Sequence, residues 1–155
     1  DGYALLARFR LGAEQADAGD TEAAIATLRA IARDGGVDPI YQDLARIRTG
    51  HLLLDAGDPA AAAEEVAVLA ERQTGAWTHA AKEVMGLSAY AEGAFGEARR
   101  WFSALEEDPA TPRGLRGRAQ LMVTLLDGRI AGAPADAEDA PEAEAPTTDP
   151  AEATQ

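Results

Sequence analysis

The chain has 155 residues, 14 Lys and Arg against 27 Asp and Glu, a formal net charge of −13 and no cysteine. Its length suits one domain with a buried core, and the missing cysteines exclude disulfides and Cys-based zinc sites while leaving the redox compartment unmarked. A surface of this sign, without a basic stripe, repels phosphate backbones and sets nucleic-acid binding aside.

No apolar run approaches the roughly 18–20 residues that span a bilayer, and no signal peptide is visible. The start at Asp1 rather than Met reads as a processed or truncated chain. In chain order, Leu5, Leu6, Phe9 and Leu11 predict a helix over 3–18. Asp20 then predicts an N-cap for a helix over 20–33, with Glu22 in the first turn, an apolar stripe of Ile25, Leu28 and Ile31, and a stop before Asp34-Gly35-Gly36. Asp38-Pro39 opens a third helix over about 40–56. Pro59, whose missing N–H is harmless in a first turn, opens a fourth that runs to about Arg72. Further helices follow over about 76–92 and 95–107, the latter with Phe95, Trp101, Phe102 and Leu105. Asp108-Pro109-Ala110-Thr111-Pro112 predicts a turn, and a last helix over about 113–127 stands alone and ends at Asp127-Gly128. Residues 131–155 hold seven acids, no base, four prolines and no aliphatic residue larger than alanine. They are expected to form a disordered acidic Ala/Pro-rich tail, because they offer too little apolar area to offset ordering entropy. Residues 1–130 form the domain.

The chain repeats itself. Gly12 and Gly19, Gly50 and Gly57, and Gly86 and Gly93 are three pairs with a spacing of seven. Tyr3, Tyr41 and Trp77 each stand nine residues before the first glycine of a pair, and Ala24, Ala62 and Ala98 each stand five after the second. The second glycines, with Gly128, are separated by 38, 36 and 35 residues. Periods of that size mean stacked helical hairpins, each a helix A followed by a helix B, that bury their apolar faces against their neighbours. The first glycine lets A and B approach closely, the second ends helix A in a left-handed turn, and Asp20 and Asp58 cap helix B. These positions resemble the tetratricopeptide repeat (TPR) over about residues 3–130. The expected fold is all-α: a TPR-like solenoid of about three and a half hairpins, with units over about 3–38, 39–75 and 76–110 and a capping helix over 113–127.

Nothing in the sequence points to catalysis. His51 with Asp55 and His79 with Glu83 have the i, i+4 spacing that could hold a metal, but such pairs arise readily by chance and read more simply as solvated polar pairs. The glycine pairs lack the lysine of a phosphate loop. No enzyme, cofactor or metal is expected. In this repeat class helix A lines the concave face, which places Phe9, Ala13 and Ala16, then Leu44, Ile47, His51 and Leu54, then Ala80, Glu83, Leu87 and Tyr90 in a binding groove. The last helix adds Leu115, Arg118, Met122 and Leu125. Members of the class that capture a C-terminal carboxylate use lysine and asparagine there. This apolar row instead suits an amphipathic helix or an unfolded segment, unless its side chains are core.

The runs Leu44-Ala45-Arg46-Ile47-Arg48, Trp77-Thr78-His79-Ala80-Ala81-Lys82-Glu83, Arg100-Trp101-Phe102 and Asp108-Pro109-Ala110-Thr111-Pro112-Arg113-Gly114-Leu115-Arg116 resemble the alphaproteobacterial form of the YfgM-like ancillary subunits of the Sec translocon. That resemblance implies a periplasmic repeat domain on a single-pass inner-membrane anchor, which this chain lacks. It also implies partners among translocon components, periplasmic chaperones and unfolded clients. The alternative is a soluble, cytoplasmic TPR scaffold for one dedicated folded partner. The acidic tail lies outside that family pattern.

Overall fold

A computed structural model describes residues 2–132. They form seven α-helices and no strand: α1 Gly2–Asp17, α2 Thr21–Ala32, α3 Pro39–Asp55, α4 Pro59–Ala70, α5 Thr78–Ala91, α6 Phe95–Glu107 and α7 Arg113–Ala131. Each helix packs on the next, and α3 also packs on α5. This is an α-solenoid in which α1, α3 and α5 are the A helices, α2, α4 and α6 the B helices, and α7 stands at the open end. Among the described residues no helix is long and apolar enough to cross a membrane. Apart from residues 131 and 132, the expected acidic tail lies outside the described residues.

Local chemistry sets the helix ends. The Asp20 and Asp58 carboxylates accept from Ala23 N at 3.2 Å and Ala61 N at 3.1 Å, which satisfies orphan donors in the first turns of α2 and α4. Asp38 does the same for α3 through Ile40 N at 3.0 Å, ahead of Pro39. Helix α6 follows Ala94 and has no side-chain cap. The second glycine of each pair has φ of 81°, 80° and 78° at Gly19, Gly57 and Gly93, a conformation that costs any side-chain-bearing residue. Gly128 departs from this pattern. It is helical, and α7 runs through it to Ala131, four residues past the expected end. Arg129 stands where the first two hairpins have a capping aspartate, so the sequence there supplies no new helix start.

The core is built where hairpins meet. Phe9, Leu28, Ile31, Ala32 and Ala45 join α1, α2 and α3. Ile47, Leu53, Val66, Leu69 and Val84 join α3, α4 and α5. Ala89, Ala98, Phe102, Leu105, Leu115, Ala119, Val123 and Leu126 join α5, α6 and α7. The predicted turn before α7 is held from several sides. Arg116 Nη2 donates to the carbonyls of Asp108, Pro109 and Thr111 at 3.0, 2.7 and 3.0 Å. Asp108 Oδ1 accepts from Ala110 N at 2.8 Å.

Candidate functional site: the face of the A helices

Four helices supply this face at equivalent repeat positions. The outermost of those positions is open on α1 and α3: Ala13 and His51 are exposed, and Ala16 and Leu54 half-buried. Between α1 and α3 lies a hollow of about 380 Å³ lined by Gly12, Ala13, Ala16, Asp17, Leu28, Arg48, His51 and Leu52. Its floor is apolar, and its charge is confined to Asp17, Arg48 and His51. Farther along, Leu87, Tyr90 and Met122 are half-buried and pack against the last core cluster.

Several side chains expected in the groove are not available to a ligand. Phe9 and Ile47 are 7 % and 4 % exposed, and Leu115 is 8 % exposed. All three are core. The reason is geometric. Phe9 and Ile47 point at the following hairpin, not at the open face, and each closes the junction between two units. The Arg48 guanidinium also lies over the Phe9 ring, 5.0 Å from its centroid. Leu44 is half-buried against the first cluster and Leu54 against the second. Ala80 is half-buried beside the second cluster, and Leu125 is 43 % exposed.

Glu83 and Arg118 hold each other. Arg118 Nε and Nη2 donate to the two Glu83 carboxylate oxygens at 2.8 and 3.1 Å, a bidentate bridge from α7 to α5. That bond, and the charge of Glu83, raise the pKa of the Arg118 guanidinium above its ordinary value. The bridge pairs a largely buried Glu83 with an exposed Arg118. His79 is bonded elsewhere: its Nε2 donates to Asp108 Oδ2 at 2.9 Å. This bond, and the backbone N–H of Ala110, hold the Asp108 carboxyl below its usual range. His79 and Glu83 are thus each bonded to a residue of another element. Among the described residues no group of three or more His, Asp or Glu comes together as a metal site.

Arg48, Leu28 and Leu52 line the hollow without having been expected there. Leu28 belongs to helix B and reaches the hollow beside Gly12. Arg48 and Leu52 lie beside the repeat positions that mark the face. Arg129, near the end of α7, lies over Tyr90 and Phe95, 5.5 and 5.4 Å from their centroids, and covers part of the aromatic end of the row. The signal for such pairs is the repeat itself. Glu83 and Arg118 are 35 residues apart, and the Arg29–Glu65 pair at 2.9 Å spans 36, so each joins one unit to the next.

A family model for a tetratricopeptide repeat-like domain matches residues 1–115. No curated protein and no solved structure matches the chain. All-helical folds of this kind typically serve as non-enzymatic scaffolds for protein interaction.

Proposed function

The chain belongs to the tetratricopeptide repeat-like family, and from that premise we propose that it binds apolar or unfolded protein segments along the A-helix face, without catalysis. The observation that carries this reading is the hollow between α1 and α3, with its apolar floor of Gly12, Ala13, Ala16, Leu28 and Leu52. A concave, mostly apolar site with a few polar groups at its rim suits an apolar side chain presented by a peptide. Binding by apolar burial tolerates salt, because screening weakens exposed charge pairs and leaves apolar contact alone. Affinity is modest, since an unfolded segment loses entropy on docking.

The test titrates a reduced, carboxymethylated unfolded protein against the wild-type chain, Ala13→Asp and His51→Glu, at low and high salt. Both positions are exposed, so both variants are expected to fold. Loss of binding in both, with wild-type binding insensitive to salt, is the expected outcome. Wild-type affinity retained in both variants overturns the reading and favours a scaffold for a folded partner on another surface. We place the module at the Sec translocon, on the periplasmic face of the bacterial inner membrane, on the strength of the residue runs around Leu44, Trp77, Trp101 and Asp108. Co-purification of the native protein with translocon components from detergent-solubilised membranes tests that placement. Recovery in the cytoplasmic fraction alone overturns it.

A further inference from the structure

The outward face of α7 is built like a surface that another helix covers. At 100° per residue, Gly114, Gly117, Leu121, Thr124, Leu125 and Gly128 fall within about 100° of the helix circumference, and no charged residue falls among them. All six are exposed, Leu121 at 72 %. The terminal unit of a repeat array ordinarily turns a polar face outward. This one turns out leucine, threonine and glycine.

The repeat explains what the face matches. A shift of 35 residues lays α5 on α7, so that Gly86 falls on Leu121, Ala89 on Thr124, Tyr90 on Leu125 and Gly93 on Gly128. Gly86 and Ala89 are buried. A Cβ on Gly86 would meet the Phe102 ring of α6 at 2.8 Å, and Ala89 shares a core cluster with Ala98 and Phe102. The part of the α7 face around Leu121 and Thr124 therefore matches the seat of a helix B, and no helix follows α7 among the described residues. Residues 133–155 carry four prolines and no aliphatic side chain larger than alanine, so their sequence cannot supply a helix B with an apolar stripe.

Charge selects the occupant. Helix α7 carries Arg113, Arg116, Arg118 and Arg129 against Asp127, a net of +3 within a chain of −13. Arg113 lies on one rim of the apolar face and Arg129 on the other; Arg118, on the same rim as Arg129, is already bonded to Glu83. Pairing α7 antiparallel with α7 of a second copy about Leu121 would bring Arg113 of one and Arg129 of the other to the same end, on its two flanks, and would set one helix of net +3 against another. We propose that the outer face of α7 docks an amphipathic helix of another protein whose apolar stripe is bordered by acidic side chains, in the place of a fourth helix B.

The experiment uses the full chain and two synthetic amphipathic helices of about 18 residues, beyond the length at which isolated helices are marginal. They share one Leu/Ala stripe, bordered by Glu in one and by Lys in the other. The Glu-bordered peptide is expected to bind at least tenfold more tightly than the Lys-bordered one. Leu121→Asp, at a solvent-exposed position, is expected to weaken the Glu-bordered peptide at least tenfold with the melting temperature unchanged. Equal binding of the two peptides, or a Leu121→Asp variant that binds as wild type does, overturns the proposal. So does a dimer in sedimentation that Leu121→Asp disperses, which makes a second copy the occupant. So does a synthetic peptide of residues 133–155 that displaces the Glu-bordered helix, which makes the chain's own acidic segment the occupant.

Discussion

The first and third hairpins share a sequence plan and differ in how firmly it is enforced. Gly12 and Gly86 occupy the same repeat position and are both buried. A Cβ on Gly12 would find Leu28 Cγ and Cδ2 at 3.4 Å, ordinary contact, whereas one on Gly86 would meet Phe102 Cε2 at 2.8 Å and Cζ at 2.9 Å. The facing helix B decides this: a leucine in α2, an aromatic ring in α6. Position in the array adds to it. Helix α1 has no preceding hairpin among the described residues, and Tyr3 and Leu6 are 86 % and 65 % exposed. Helices α5 and α6 are enclosed by α4 on one side and α7 on the other. A repeated glycine is thus a constraint whose strength is set by the residue it faces.

The largest way to sharpen the contrast is to remove the ring. Phe102 is 1 % exposed and contacts α5 and α7 within one cluster. Phe102→Ala should cost about 3–5 kcal/mol, lost transfer energy plus a cavity. Leu28→Ala removes a smaller side chain that borders the hollow between α1 and α3, and should lie at the low end of about 2–5 kcal/mol. Urea denaturation of both variants measures the difference. Equal losses would mean that the two hairpins are equally well packed.

Gly86→Leu comes next. The added side chain would have to enter the space of a buried ring, and overpacking of this kind costs about 1–3 kcal/mol or more. Gly12→Leu displaces only a leucine at the edge of the hollow between α1 and α3 and should cost less. A thermal melt unchanged by Gly86→Leu would remove the close approach of α5 and α6 as the reason for that glycine.

The turn glycines supply an internal control. Gly19, Gly57 and Gly93 have nearly identical positive φ, and nothing lies within 4 Å of a Cβ built on any of them. Their alanine variants should each lose about 1–2 kcal/mol from backbone strain alone, by calorimetry, with no trend along the array. A graded series would show that the hairpins differ in stability for reasons other than packing at the first glycine.

Much of this was legible in the sequence because the signals were local or periodic. The glycine spacing marked the hairpins, Asp20 and Asp58 marked the starts of α2 and α4, and Asp108 to Pro112 marked the turn that Arg116 clamps. The face was harder to read. An A helix touches its own helix B and the neighbouring hairpins, so its apolar positions run nearly all the way round. Phe9 and Ile47 could not be told from Ala13 and His51 without knowing how far one unit rotates on the next. The Glu83–Arg118 bridge depends on that same rotation. Gly128 misled for a different reason: it keeps the period but lacks the cap and the following apolar stripe that turn a glycine into a helix end.

The smallest effect is also the most discriminating, because two opposing terms are nearly matched. Alanine in place of a glycine inside a helix gains about 1 kcal/mol of helix propensity. At Gly12 the new methyl meets Leu28 at 3.4 Å and the Thr27 methyl at 3.7 Å, so nothing has to move. Gly12→Ala should therefore raise stability by up to about 1 kcal/mol. At Gly50 the methyl would lie 3.0 Å from Val66 Cγ1 and 3.2 Å from Val84 Cγ1, close enough to cancel most of the gain. At Gly86 the rigid, enclosed ring of Phe102 cannot step aside, and the sign should reverse. Chemical denaturation of the three alanine variants should rank them Gly12, Gly50, Gly86 from stabilised to destabilised. A uniform gain would mean that α6 can slide on α5, and the distinction between a loose first hairpin and a tight third one would fall.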